Sequence, residues 1–136
     1  MTRLITLSLI IIIFSFTQSV FAKENLCKLA EPMVNQTQNT ARKYFENNFK
    51  NRSYNGEGSI RDVYSKYRDS DIKIEINCGN NVLISFKSQT SIDQFEIGQI
   101  VRFSGSCRSM KKLRYTNTGK RYVRITLWNG SSVHKH

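Results

Sequence analysis

The segment from residue 71 to 77 reads Asp-Ile-Lys-Ile-Glu-Ile-Asn, apolar at Ile72, Ile74 and Ile76 and polar or charged between them. Alternation of this kind puts every isoleucine on one face of a strand and every charge on the other. The next residues, Cys78-Gly-Asn-Asn81, are types that accept positive φ in a tight turn, and Val82, Ile84 and Phe86 then resume the alternation. A hairpin with one wet face and one apolar face is not stable alone in water. It has to be covered by more sheet or by a helix.

The rest of the chain supplies that cover. Gly98 to Cys107 keeps Val101, Phe103, Gly105 and Cys107 in phase. Arg121 to Trp128 puts Val123, Ile125 and Leu127 on one face and Tyr122, Arg124, Thr126 and Trp128 on the other. An earlier strand over Gly58 to Tyr67 has Ile60 and Val63 out of register for a period of two, which predicts a bulge. Before it, Glu31-Pro32 opens a helix whose face carries Ala41, Tyr44, Phe45 and Phe49. The spacing from Lys87 to Gly98 leaves room for little more than a plug made by Ile92 and Phe95. The expected fold class is mainly β with one N-terminal helix, a five-stranded Greek-key barrel of the OB-fold type.

Residues 1–22 are expected to be a cleaved secretory signal peptide. Arg3 precedes an apolar run from Leu4 to Phe16, and Val20 and Ala22 stand at the small-residue positions of a cut before Lys23. A membrane anchor needs about 20 apolar residues, and this run breaks at Ser15, Thr17 and Gln18. The expected organisation continues as an arm and helix over 23–53, the barrel over 54–130 and a disordered tail over 131–136. The chain is expected to be exported, to the periplasm or beyond, with no membrane-spanning segment after cleavage.

The stretches Tyr54-Asn-Gly-Glu-Gly-Ser-Ile-Arg-Asp-Val63, Val82-Leu-Ile-Ser-Phe86 and Phe95-Glu-Ile-Gly-Gln-Ile-Val-Arg-Phe-Ser-Gly-Ser-Cys107 resemble the bacterial tRNA_anti-like OB-fold proteins of the cell envelope. The resemblance covers about residues 40–128 and concerns architecture. It implies no tRNA binding, least of all for an exported chain. In an exported chain, Cys27, Cys78 and Cys107 can form a disulfide, with one thiol left over. In the barrel reading, Cys78 and Cys107 fall at the ends of strands two and four, near the start of strand one. That geometry favours Cys78–Cys107, with Cys27 to Cys107 or to Cys78 as the rival pairing.

Catalytic chemistry finds little purchase. His134 and His136 are the only histidines, so a Ser-His or Cys-His site is not expected. There is no C-x-x-C pair for zinc, and neither a metal nor a cofactor is expected. A metal-dependent nuclease could be imagined on Asp62, Arg61, Arg68 and Arg124, but no motif supports it.

Charge is the strongest functional signal. The chain carries a formal charge of +11, and from Val101 to His136 there are nine Lys or Arg and no Asp or Glu. Arg108, Lys111, Lys112, Arg114, Lys120 and Arg121, with Tyr115 among them, are assigned to the loop between strands four and five. Lys66, Tyr67 and Arg68 are assigned to the loop between strands one and two. Together with Tyr122, Arg124 and Trp128 these residues form the expected ligand surface, since cations beside aromatic rings suit a polyanion. The expectation is a non-enzymatic binding module for an anionic ligand: nucleic acid, a surface glycan or an acidic protein face. The alternatives are a protein–protein module of an envelope assembly, contacting its partner through Tyr122, Arg124 and Trp128, or a toxin-like glycan-binding subunit.

Overall fold

The computed structural model of the chain describes residues 25–65, 72–88 and 95–136. The expected signal peptide, Lys66, Tyr67 and Arg68, and Ile92 lie outside the described residues.

Asn25 caps the first helix, α1 (Leu26–Leu29), by accepting a hydrogen bond from the Cys27 N–H at 3.0 Å. A 3-10 turn follows over Glu31–Val34, with Pro32 at its start. The chain then breaks at Thr37, which takes an extended backbone and caps α2 (Gln38–Asn48), its Oγ1 accepting from the Thr40 N–H. The single helix expected from Pro32 onward is therefore corrected to two α-helices and a 3-10 turn. Asn25 and Thr37 are the residue types whose side chains replace a missing backbone partner at a helix start, and each begins a new helix.

Six strands follow: β1 (Ser53–Ser65), β2 (Ile72–Gly79), β3 (Val82–Ser88), β4 (Ile100–Arg114), β5 (Arg121–Leu127) and β6 (Ser132–Lys135). They form one sheet in the order β1-β2-β3-β5-β4-β6, and β1 also pairs with β4. Five strands thus close a ring of pairings, and β6 hangs from β4 outside it. This six-stranded sheet with its five-strand ring replaces the expected five-stranded Greek-key barrel. The extra strand lies where a disordered tail was expected. Ser132 to Lys135 pair with Ser104 to Val101, and Val133 is buried. Gly105 makes this possible, because a Cβ there would collide with the Ser131 hydroxyl.

The long β1 is what closes the ring. Ser53 to Ser59 pair with β4, and Ser59 to Ser65 pair with β2, with a register shift between Ile60 and Asp62 where the bulge was expected. The β2–β3 hairpin also follows the sequence, with positive φ at Gly79, Asn80 and Asn81. Ile72, Ile74, Ile76, Val82, Ile84 and Phe86 are buried in one core with Val101, Phe103, Val123, Ile125 and Leu127. Leu26, Ala30 and Met33 fill the same core from the N-terminal segment, as do Ala41, Phe45 and Phe49 from α2 and its end. Phe95 is buried there too.

The disulfide joins Cys27 to Cys78, with Cα atoms 5.4 Å apart, and Cys107 is a buried free thiol. The expected Cys78–Cys107 bond is corrected, because Cys107 is not the end of its strand. β4 runs on to Arg114, and Cys107 sits mid-strand opposite Leu127. Along β1, Gly58 pairs with Val101 while Ser59 pairs with Asn77. The stretch of β4 nearest Cys78 is therefore about six residues, or about 20 Å, from Cys107. The Asn25–Asn55 bridge instead brings the start of α1 to β1, beside the β2 end.

Burial pushes the Cys107 thiol up to about 12 from 9.0. Between those values the folded protein keeps a proton that the unfolded chain has lost, so this thiol makes stability fall as pH rises above 9. The expected loss is about 2 kcal/mol between pH 9 and 10.5, at about 1.4 kcal/mol per unit. Urea unfolding of the parent and of Cys107→Ala at both pH values isolates it. The variant should lack this increment, and equal slopes in the two proteins would show that the thiol does not contribute.

Candidate functional site

Most of the basic residues assigned to a loop lie on a strand. β4 and β5 run antiparallel from Cys107–Leu127 to Arg114–Arg121, with a register shift between Cys107 and Ser109. Arg108 is the extra residue. Its guanidinium lies 4.9 Å from the centroid of the Trp128 ring, and the Trp128 indole N–H donates to Asn51 Oδ1 at 3.3 Å. Trp128 is 46% exposed, so this Arg–Trp pair is open to solvent at one end of the ribbon.

Beyond the bulge, strand alternation divides the remaining side chains into two rows. The inner row continues the core phase: Met110 opposite Ile125, Lys112 opposite Val123, Arg114 opposite Arg121. The outer row holds Ser109, Lys111 and Leu113 opposite Thr126, Arg124 and Tyr122. Lys120 belongs to the short turn at the tip, closed by the Tyr115 N–H donating to Lys120 O at 2.9 Å.

On the outer side Tyr115 stacks on Tyr122, with ring centroids 4.3 Å apart and planes at 22°. Arg61 of β1 caps the stack, its guanidinium 5.4 Å from the Tyr115 centroid, and also pairs with Glu75 of β2 at 3.8 Å. Since β2 and β3 lie between β1 and β5 in the ring, the chain of contacts Arg61–Tyr115–Tyr122 crosses the outer side of those strands. Leu83 and Ser85 point away from the core there and are nonetheless 2% and 1% exposed. Tyr115 and Tyr122 are thus already engaged with each other and with Arg61.

On the inner side the ribbon faces the start of α2. The Lys112 ammonium donates to the Gln36 carbonyl. Around it lies a cleft of about 540 Å³, lined by Gln36, Thr37 and Gln38 of the helix start and by Lys112, Leu113, Arg114 and Arg121 of the ribbon. A smaller hollow of about 280 Å³ adjoins it, where Arg42 and Lys111 approach. Partial burial, and then the positive charge of Arg121, hold the Lys112 ammonium below its usual range. Ion pairs among the described residues are Arg61–Glu75, Arg102–Glu57 and His136–Glu57, so the ribbon cations Arg108 to Arg124 have no acidic partner there.

The expected site residues therefore separate into an Arg108–Trp128 end, an outer row with Lys111, Tyr115, Tyr122 and Arg124, and an inner row with Lys112, Arg114 and Arg121. Gln36, Thr37, Gln38, Arg42 and Arg61 were not among the expected residues. The Thr37 cap followed by a helix with no acid in its first turn was a readable signal for part of the cleft lining. Among the described residues no group of three or more His, Cys, Asp or Glu could hold a metal ion. Among them, too, no helix is long and apolar enough to cross a membrane.

No family model matches the sequence, and no curated protein matches it. Twenty chains of solved structures do match. One belongs to a replication protein A heterotrimer bound to single-stranded DNA. It is 11% identical with a TM-score of 0.37, over 62% of this chain and 57% of that chain. The chain thus spans a little over half the length of that structural relative.

Proposed function

We propose that the chain is an exported, non-enzymatic module that binds a polyanion along the β4–β5 ribbon. One observation carries this reading. Seven Lys or Arg from Arg108 to Arg124 stand on one two-stranded ribbon and its tip, with no Asp or Glu in that stretch and no acidic partner among the described residues. Like charges held this close repel one another, and an anionic polymer lying on the ribbon relieves that repulsion. The Cys27–Cys78 disulfide fits an oxidising compartment and supports export.

Titration of labelled single-stranded DNA and of an anionic glycan between 50 and 200 mM salt tests the reading. With four or five phosphate contacts the expected slope of log K against log salt is about −3, a loss of about a hundredfold across that range. Preference between the two probes then identifies the polymer. Absence of binding at 50 mM salt, or binding indifferent to salt, overturns the proposal.

The exposure of Trp128 favours a second reading, a protein contact at the Arg108–Trp128 end. Binding of that kind survives moderate salt and is lost in Trp128→Ala.

A further inference from the structure

We propose that the open edge of β4 from Arg108 to Arg114 is a docking edge for an extended acidic polypeptide segment, which adds there as a further strand. This deepens the polyanion reading and rests on it for the charge, because the same ribbon supplies the cations. The backbone supplies what a row of cations cannot, a preference among polyanions.

The two edges of β4 are occupied differently. One edge carries β6 along Val101–Ser104 and then β5 along Cys107–Arg114. The other carries β1 only from Ile100 to Ser106. The chain just before β1 closes that edge at Cys107, whose N–H donates to Arg52 O at 3.0 Å. From Arg108 to Arg114 the second edge has no strand partner among the described residues. The Tyr115 N–H points toward β5, donating to Lys120 O, and backbone groups alternate between the two edges of a strand. The N–H and C=O groups of Met110, Lys112 and Arg114 therefore point out of the open edge.

The space beside that edge is a hollow. It has a volume of about 280 Å³ and is lined by Met110, Lys111, Lys112 and Leu113 with Gln38 and Arg42 of α2, and by no residue of β5. Successive side chains of a strand point to opposite faces, so a space touched by four consecutive residues lies along the strand's edge. A strand added at the usual spacing of about 4.8 Å enters it.

Charge selects the occupant. Lysines commonly guard open edges against pairing between copies of one chain, and Arg108, Lys111, Lys112 and Arg114 repel a second copy in that way. The same cations, with Arg42 at the hollow, favour a strand that carries carboxylates. They have no acidic partner of their own among the described residues. A nucleic acid or a glycan can neutralise these charges. Only a peptide backbone also repeats a donor and an acceptor at the two-residue spacing of the edge.

The probe is a capped octapeptide of alternating Glu and Thr, added to the oxidised protein at about 50 mM salt and read by amide NMR and hydrogen exchange. In the free protein the Met110, Lys112 and Arg114 amides should exchange about tenfold or more faster than those of Lys111, Leu113 and Tyr115, which face β5. Bound peptide should slow the first three about tenfold or more and leave the other three within about twofold. The same peptide with every backbone nitrogen methylated keeps its carboxylates and should bind at least about tenfold more weakly. Equal exchange at all six amides of the free protein, no binding of the peptide, or equal binding of the methylated peptide overturns the docking edge. The same protection produced by single-stranded DNA overturns the choice of a polypeptide. Protection that grows with protein concentration in the absence of peptide assigns the edge to a second copy and overturns it as well. If DNA or glycan still binds with the steep salt slope in any of these cases, the polyanion reading stands without the edge. If neither peptide nor polymer binds, both readings fall.

Discussion

A variant with Cys27 and Cys78 both replaced by serine is expected to lose about 4 kcal/mol of stability in the chain-entropy account of cross-links. The two cysteines are 51 residues apart, so the bond removes a large share of the unfolded chain's freedom. It also joins elements that sequence distance alone would leave independent, since Cys27 is in α1 and Cys78 is at the end of β2. α1 places Leu26 and, just beyond its end, Ala30 fully in the core. Four residues are too few to form a helix by themselves. Without the tether, α1 is held by that burial and by the Asn25–Asn55 bridge alone. Urea unfolding of the variant against the parent, both carrying Cys107→Ala to prevent thiol exchange, measures the loss. A difference below about 1 kcal/mol would mean that the N-terminal segment is held in place mainly by its packing. Peptide mapping without reduction provides a separate check, because recovery of a Cys78–Cys107 pair would refute the connectivity outright.

The disulfide also shows where sequence reading stops. β2, β3 and β5 are legible because each keeps apolar residues at every second position on its core face, in β3 even though Leu83 and Ser85 on the other face are buried too. The bulge in β1 is legible for the same reason, since a slip between Ile60 and Val63 appears as a break in that alternation. β4 is legible only as far as Cys107. Beyond it only Met110 packs against the core, and Lys111, Lys112 and Arg114 carry no apolar period. A ribbon that leaves the core looks like a loop in sequence, although its backbone pairs continue to Arg114–Arg121. Misplacing that strand end is what misplaced the cysteine pairing. β6 escapes detection because four residues with a single buried Val133 cannot show a period.

The candidate surface was legible in composition and illegible in arrangement. A count of charges finds the cations from Arg108 to Arg124, but their division into rows depends on the residue inserted at Arg108. That one insertion sets which of two neighbours, Lys111 or Lys112, continues the core phase of the strand. The aromatic contribution is smaller than the sequence suggests, because Tyr115 is stacked on Tyr122 and capped by Arg61. No local pattern in the sequence links residue 61 to residue 115. Their contact follows from the order of strands in the ring.

Ring closure itself makes the second large prediction. Gly58→Val is expected to cost about 3 kcal/mol or more, at the upper end of what overpacking does. Ser59 is the residue at which β1 changes partners, pairing with Ile100 of β4 and with Asn77 of β2. Three backbones converge there, and Gly58 lies one residue before the change. A Cβ on Gly58 would stand 2.5 Å from the Asn77 carbonyl oxygen and 2.7 Å from the Ile76 side chain. The Asn77 oxygen belongs to the sheet backbone, so it cannot yield as the end of a flexible side chain would. Relief requires β1 and β2 to separate where the ring closes. Gly119→Asn is the matched control. Gly119 has a positive φ that asparagine tolerates, and open space lies where a Cβ would stand. Its change should stay within about 0.5 kcal/mol. Amide exchange gives the spatial check, because Gly58→Val should release Ile60 and Ile76 before the amides of β4 and β5. An effect on Gly58 no larger than on Gly119 would mean that β1 and β2 meet less closely than their register requires. The ribbon depends on this closure as well, since β4 is anchored to β1 only through Ser53–Ser59. Loss of polyanion binding in Gly58→Val should therefore follow its unfolding curve.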